Sequence, residues 1–392
     1  MTVWIMRIGR AVPLGSVALS AVMTPGCSSP PPPEEAHPQR TGFVHPIPAS
    51  DTIHLPGSDP IHGAPALPRT PFSLPDLRGT TLGAESTPED QVFGAISSIA
   101  IVPDGRVLVL DPQAREVRVF RDTEPALPAL QTLGGHGSGP GEFLTPRTLV
   151  LGPGEHLWVL EIRGDASVFR LNGDSVEFSH RVRLGREVWD ACILEERLYV
   201  HGMRGGDRGA VHVYDMEGRW SHSFGEIYRT TNPIVRHQLS QGHIACVDNP
   251  PLVLVAPAHL PELRAYDPEG RLLWWVSLTG FRPLGISSVQ EPRTGRRGSR
   301  MTFPSEGWHS IVGLVASSEQ GAALVQVRTH VVEEHPPPGA PGLQTFVVDL
   351  RARRSVPAHG PWPRVVSWSP SRILAIEEDP YPSLVRFEVG RR

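Results

Sequence analysis

The residue types that could do chemistry are unevenly represented in this chain. Histidine occurs 17 times, and the middle of the chain contains His201, His212, His237, His243 and His259. Imidazoles held close together bind transition metals, so these five are candidate metal ligands. Their spacing matches none of the common metal motifs, and surface or hydrogen-bonded histidines are the simpler interpretation. Both interpretations stay open, and the metal-binding residues are left unknown.

Several reactions are excluded by residues and motifs that the sequence lacks. All 37 basic residues are arginines, so no lysine can form a Schiff base or complete a P-loop. The His-Glu-x-x-His, calcium-loop and Gly-x-Ser-x-Gly motifs are absent from the sequence as well. Motifs therefore assign no catalytic and no cofactor-binding residue, and any cofactor is unknown.

The composition is that of an ordinary folded domain. Hydrophobic residues make up 39% of the chain and charged residues 20%, and the formal net charge is −4 with both signs interspersed. Because no basic surface of the kind that nucleic acids require is indicated, we expect no nucleic-acid partner. The length of 392 residues suits one large all-β domain with a tail, and we expect a monomer.

Residues 1–27 have the features of a bacterial export signal. Arg7 and Arg10 precede an apolar stretch, 11–23, that is too short to remain as a membrane span. The segment Thr24-Pro25-Gly26-Cys27 resembles the cleavage box of lipoproteins, in which the cysteine receives the lipid. We expect lipidation of Cys27, with simple secretion as the alternative. The protein would then lie in the cell envelope, held to the membrane by the lipid anchor only.

Residues 28–70 have the composition of a tether. Ser28–Pro33 is a Ser/Pro run, and prolines and polar residues recur without a period after it. Such a segment buries too little apolar surface to fold, so we expect a disordered spacer between the membrane and residues 71–392.

Residues 71–392 contain an internal repeat. Cycles of four short apolar strands recur at 99–133, 149–184, 191–224 and 244–278, and weaker cycles follow at 311–349 and 364–389. The last cycle shows three strands, and the segment 71–82 is the candidate for its fourth strand. Pairing of the first and last segments would close the repeats into a ring without an open edge.

Two features indicate a common register among the cycles. The turn Tyr214-Asp215-Met216-Glu217-Gly218-Arg219 is nearly copied by Tyr266-Asp267-Pro268-Glu269-Gly270-Arg271, with a glycine where a hairpin turn needs positive φ. The aspartates of these turns therefore have a structural explanation. Facing strands also carry apolar residues at one separation, six positions, in four cycles: Ile101 and Val107, Leu151 and Leu157, Cys192 and Leu198, Cys246 and Leu252.

The connection Gly134-Gly135-His136-Gly137-Ser138-Gly139-Pro140-Gly141-Glu142-Phe143, followed by Pro146 and Leu157-Trp158-Val159, resembles the NHL repeat. The match covers one cycle, and the other cycles keep the strand pattern. The resemblance implies an NHL-like six-bladed β-propeller with four-stranded antiparallel blades, of the type found in exported bacterial proteins. These glycines do not form a phosphate site, because a strand follows them where such a site needs a helix.

Cys192 and Cys246 occupy the same position in neighbouring cycles. Equivalent positions on neighbouring blades generally lie farther apart than disulfide geometry allows, so we expect two unpaired core cysteines. A disulfide is the alternative, since an exported protein reaches an oxidising compartment. No Cys-x-x-Cys motif occurs, which argues against a zinc knuckle.

Two functions from different classes fit these features. The first is a binding or scaffold module that presents its loops to an extracytoplasmic protein, peptide or glycan. The second is a metal-dependent lyase or hydrolase acting in the central channel, because some NHL-like lyases hold a metal near the axis. Insertions at 281–304 and 333–343 are expected as surface loops, and the Arg-rich first one is a candidate lid or partner-binding arm.

Overall fold

A computed structural model describes residues 92–121, 129–203, 209–228, 232–290, 297–302, 307–330, 343–358, 362–370, 372–378 and 382–388, with two short strands before them. All of them belong to one compact unit, Gly42–Arg392. The export signal and Cys27 lie outside the described residues, as does most of the tether. No helix of the described ranges is long and apolar enough to span a membrane.

The described residues form six blades of four antiparallel strands, which confirms the all-β six-bladed propeller. The first two strands of the chain are β1 (Thr52–Ile53) and β2 (Thr80–Leu82). Blade one consists of β3 (Ser98–Ile101), β4 (Arg106–Asp111), β5 (Glu116–Arg121) and β6 (Gln131–Gly134). Blade two consists of β7 (Pro146–Gly152), β8 (His156–Glu161), β9 (Asp165–Asn172) and β10 (Ser175–Arg183). Blade three consists of β11 (Asp190–Leu194), β12 (Arg197–His201), β13 (Val211–Tyr214) and β14 (Trp220–Phe224).

The second half of the ring repeats this order with two additions between its blades. A helix, α1 (Pro233–Ser240), precedes blade four, and a hairpin precedes blade five. Blade four consists of β15 (Gly242–Val247), β16 (Leu252–Pro257), β17 (Glu262–Tyr266) and β18 (Leu272–Ser277), and the hairpin that follows consists of β19 (Gly285–Gln290) and β20 (Arg297–Thr302). Blade five consists of β21 (Trp308–Ser317), β22 (Ala322–His330), β23 (Leu343–Asp349) and β24 (Arg354–Pro357). Blade six contains β25 (Arg364–Trp368), β26 (Arg372–Glu377) and β27 (Ser383–Glu388).

The ring is closed by a strand from the N-terminal side. β2 pairs antiparallel with β27, with Thr80 opposite Arg386 and Leu82 opposite Leu384, so it completes blade six. The predicted closure by 71–82 is therefore confirmed. The first strand of each blade contacts the first strand of the next, and β25 contacts β3 across the closure. These six strands consequently form the innermost ring around the axis.

The core lies between successive blades. All six residues of β4 are buried, because both faces of its sheet are covered. Leu108 and Leu110 pack with Leu157 of blade two, whereas Val107 and Val109 pack with Leu374 of blade six. Alternate residues of one strand thus belong to different clusters, as the period of a strand requires.

The turns explain the repeated glycines and one error of register. Gly218 and Gly270 have φ angles of +77° and +84°, as the copied turns predict.

The predicted strand register is wrong in blades three and four. Cys192 lies opposite Tyr199, and Cys246 lies opposite Val253, so each cysteine pairs with a residue seven positions away and not six. An even number of turn residues connects the paired strands there, whereas an odd number does so in blades one and two.

Three elements were not predicted from the sequence. Helix α1 begins with Pro233 and is capped by Asn232, whose Oδ1 accepts a hydrogen bond from Ile234 N at 2.9 Å. The insertion 281–304, expected as a loop, contains the β19–β20 hairpin, and β1 of the predicted tether pairs with β19. Blade five also has a fourth strand, β24. The insertion 333–343 lies almost wholly outside the described residues.

Candidate functional site at the loop face of the ring

The two faces of the ring carry different connections. At the face where the first strands begin, here called the loop face, lie α1 and the β19–β20 hairpin, and β12 and β22 also end there. At the opposite turn face the connections have two to five residues, apart from 122–130. Variable connections on a rigid ring are where propellers place binding residues, so the loop face is the candidate site.

A belt of polar side chains links four blades at the start of their innermost strands. Ser98 Oγ lies 3.3 Å from Thr148 Oγ1, which donates to Asp190 Oδ1 at 3.4 Å. Asp190 Oδ2 accepts from Ile244 N at 3.3 Å and lies 3.4 Å from His243 Nδ1. These four side chains, Ser98, Thr148, Asp190 and His243, are called the axial belt.

Farther along the innermost strands that carry Asp190 and His243, Cys192 and Cys246 form a disulfide, with their Cα atoms 5.6 Å apart. The expectation of two unpaired cysteines is therefore wrong. The large separation of equivalent positions holds for outer strands, whereas innermost strands converge on the axis. The disulfide consequently joins blades three and four at the inner edge of both sheets.

Two buried carboxylates at this face have structural roles. Asp111 accepts from Gly94 N at 2.7 Å, and Glu161 accepts from Leu144 N and Thr145 N at 2.8 and 2.7 Å. Both residues end the second strand of their blade and hold the chain that enters the first strand. Asp111 and the Oε2 atom of Glu161 are therefore engaged by the backbone, and Glu161 Oε1 lies 3.9 Å from Arg181 Nη2.

In blade three the corresponding position is His201, which is 2% exposed. Burial lowers its pKa to about 4, although a hydrogen bond to the Gly242 backbone and the charge of Asp190 oppose this. Its Nδ1 has no hydrogen-bond partner among the described residues. The ring lies edge-on to Trp189, with the ring centres 5.4 Å apart. His201 is thus a neutral imidazole near physiological pH.

His201 borders a small cavity that a charge cluster closes. Arg264 Nη1 lies 2.8 Å from Glu226 Oε2, and its Nη2 donates to Glu262 Oε1 at 2.5 Å and to the Tyr228 hydroxyl at 3.2 Å. Burial alone would lower the pKa of Arg264, but Tyr228, Glu262 and Glu226 raise it above its usual value. The cavity measures about 10 Å³, which is room for roughly one water molecule. Leu239 and Ser240 of α1 form part of its wall.

Two arginines reach from the innermost strands across to the next blade. Arg147 Nε donates to the Trp189 carbonyl oxygen at 3.0 Å, and Arg364 Nη1 donates to the Ile96 carbonyl oxygen at 3.5 Å. Each acceptor lies one or two residues before the first strand of the following blade. The two side chains, called the mouth arginines, therefore link blade two to three and blade six to one.

The five candidate histidines lie at the loop face, and four of them are neighbours. His201 and His237 both contact the Trp189 ring, and burial, helped by the charges of His243 and His212, lowers the pKa of His201. His212 Nδ1 lies 2.8 Å from Ser223 Oγ, His237 Nδ1 lies 3.5 Å from Glu187, and burial lowers the pKa of His259 to about 4. Within the described ranges no three metal-binding side chains come together. Sequence reasoning missed Asp190 and both mouth arginines; their only signal was their place at the start of a first strand.

The Gly-rich connection that resembles the NHL repeat forms a compact turn before blade two. Phe143 N donates to Gly135 O at 2.9 Å, and the Phe143 side chain is fully buried. Gly134 has a φ angle of +101°, and a Cβ atom there would lie 2.4 Å from the Phe143 ring. Arg181 Nη2 donates to Glu142 O at 2.7 Å and covers the turn. Close approach explains Gly134, whose Cβ would also lie 2.7 Å from the Arg115 carbonyl oxygen, whereas the positive φ of +120° explains Gly135.

No family model matches this chain, and no curated protein does. Among solved structures, a DUF4221 family member from Bacteroides vulgatus is similar, with 9% identity, a TM-score of 0.52 and coverage of 81% of this chain and 96% of that one. A candidate exported protein from Bacteroides fragilis has 12% identity, a TM-score of 0.52 and coverage of 80% and 96%. The RRP9 WD40 repeats have 10% identity, a TM-score of 0.51 and coverage of 80% and 97%. The chain is therefore a β-propeller similar in fold to these proteins.

Proposed function

We propose that the protein is an exported binding module that receives an extracytoplasmic ligand on its loop face. The observation that carries the proposal is the position of α1 and the β19–β20 hairpin at that face. Three exposed apolar side chains lie in loop-face segments: Leu144 between β6 and β7, Ile162 between β8 and β9, and Ile234 in α1. A rigid ring with variable connections at one end suits recognition of a protein, peptide or glycan.

Export is supported by three observations of different kinds. The sequence begins with a signal-like segment and a lipoprotein-like box at Cys27. The disulfide Cys192–Cys246 fits an oxidising compartment. A structural neighbour of similar fold is a candidate exported protein. We propose a lipid anchor at Cys27 that holds the propeller at the cell envelope.

Photocross-linking from each face tests the binding role. A benzophenone amino acid replaces Ile162 or Ile234 on the loop face, or Glu269 or Arg351 on the turn face, and the full-length protein is irradiated in intact cells. We expect cross-linked products from the loop-face positions and none from the turn-face positions. Equal labelling from both faces, or no labelling from either, would contradict the proposal.

Metabolic labelling with a radioactive fatty acid tests the anchor separately. The wild type should incorporate label and sediment with membranes, while Cys27→Ser should be unlabelled and remain in the supernatant. Label in the Cys27→Ser variant would refute anchoring through this residue.

A further inference from the structure

We propose that the loop-face end of the innermost ring of strands, called the mouth, is an oxyanion site, in which Arg147 and Arg364 bind a carboxylate group of the ligand. This inference rests on the proposed function, because it assigns a ligand class to the loop face.

The guanidinium group of Arg147 keeps hydrogen-bond donors available for a ligand. Its Nε donates to the Trp189 carbonyl oxygen at 3.0 Å, which fixes the direction of the side chain, and the residue is exposed. No carboxylate of the described residues lies within ion-pair distance of its guanidinium group. The two terminal nitrogens of an arginine form a planar fork that matches a carboxylate. Arg147 therefore offers an oriented and unneutralised fork.

Arg364 is incompletely neutralised as well. Its Nη1 lies 3.6 Å from Glu378 Oε1, but Arg328 Nη2 lies only 2.6 Å from the other oxygen of the same carboxylate. One carboxylate thus serves two guanidinium groups. The Nε atom of Arg364 is buried and has no hydrogen-bond partner among the described residues. A buried donor without a partner is costly, and a ligand oxygen would relieve that cost.

The remaining charged group at the mouth is already engaged. The Asp190 carboxylate accepts from Ala191 N at 2.9 Å, from Ile244 N and from Thr148, and it faces His243. The formal charges of Arg147, Arg328 and Arg364, set against those of Asp190 and Glu378, leave an excess of one positive charge.

The strands that carry the mouth arginines flank the same strand, because β7 of blade two and β25 of blade six both contact β3 of blade one. Burial lowers the pKa of Arg364, Glu378 and Asp190 oppose this, and the charges of Arg328 and Arg147 lower it further. Two cations that repel each other at one mouth are stabilised by an anion between them. Their positions, on blades two and six, let one ligand group contact two separate parts of the ring.

Isothermal titration with citrate tests the site in the full-length protein, with sodium chloride at equal ionic strength as the baseline. We expect wild-type binding, at least tenfold weaker binding in Arg147→Gln, and unchanged binding in the control Arg351→Gln, which removes an exposed charge on the turn face. A tenfold loss corresponds to about 1.4 kcal/mol, close to the lower end of the range for one charge-assisted hydrogen bond. Arg364→Lys keeps the charge but loses the fork, and it should also weaken binding.

Equal affinity of Arg147→Gln and Arg351→Gln for citrate would overturn the inference. The absence of citrate binding by the wild-type protein would overturn it as well. A stronger response to phosphate than to citrate would overturn the carboxylate assignment. Thermal unfolding of each variant without citrate reveals a folding defect. Arg147→Gln is the decisive variant, because the Arg147 side chain is exposed and its replacement should leave the fold intact. Loop-face cross-linking that persists in Arg147→Gln would leave the proposed function standing without this inference.

Discussion

Thr80 of β2 pairs with Arg386 of β27, so residues separated by almost the whole described domain are neighbours in one sheet. This pairing makes the domain a closed ring, and it depends on three residues of β2. In an antiparallel pair alternate residues direct their N–H groups to the partner strand, so prolines at both positions 80 and 81 would remove a donor from the ladder and disfavour the pairing. We expect Thr80→Pro/Thr81→Pro to lower the free energy of unfolding by on the order of 1–3 kcal/mol in urea titrations. A midpoint equal to that of the wild type would show that the closure contributes nothing to stability.

The disulfide between Cys192 and Cys246 should be a measurable source of stability. It closes a loop of 54 residues, for which chain entropy predicts a contribution of roughly 2–5 kcal/mol. The double variant Cys192→Ser/Cys246→Ser should unfold at correspondingly lower urea concentration, and reductant should no longer affect the midpoint. Alkylation of the unfolded, unreduced wild type at either cysteine would show that the pair is not bridged.

His201 predicts a loss of stability in acid. Its pKa is about 4 in the folded protein and about 6.5 in an unfolded chain, so the unfolded state binds more protons between these values. The stability is full above pH 6.5 and falls as the pH drops from 6.5 towards 4. His201→Gln should remove roughly 3 kcal/mol of this pH-dependent loss, measured as urea midpoints from pH 7 to pH 4. An unchanged pH slope in the variant would contradict a buried neutral imidazole.

Gly134 and Gly135 form a matched pair for testing the Gly-rich connection. Both have positive φ angles, +101° and +120°, but a Cβ at Gly134 meets the Phe143 ring whereas a Cβ at Gly135 meets no atom within 4 Å. Both alanine variants therefore carry the backbone cost, and Gly134→Ala adds a collision. We expect Gly134→Ala to be less stable than Gly135→Ala by about 1–3 kcal/mol. Equal midpoints would mean that Phe143 moves aside without cost.

Much of the fold was predictable because its signals are local. Alternating apolar strands, the copied turns at Gly218 and Gly270 and the connection at Gly134 report local geometry, and the missing strand of the last cycle followed from the need to close a ring. Turn lengths in blades three and four were misjudged, because a change of one residue in the turn shifts the pairing without altering the apolar pattern.

The candidate site was less predictable because it depends on distant residues meeting. Arg147 and Arg364 are 217 positions apart in the sequence, and nothing in their local surroundings distinguishes them from the other arginines. The pairing of Cys192 with Cys246 depends on the convergence of innermost strands near the axis, which the repeat pattern alone does not measure. The histidines are numerous, but the sequence does not show that His201 and His237 meet at Trp189, nor that no metal-binding group of three forms among the described residues.

The position of the closing strand has a mechanical consequence. A force applied to the chain before Thr52 is transmitted first to the two-residue pairing of β1 with β19, and after its release to the three-residue pairing of β2 with β27. The innermost strands and the disulfide lie outside this path. Tension on the N-terminal segment would therefore open the ring at its last blade and leave blades three and four clamped together.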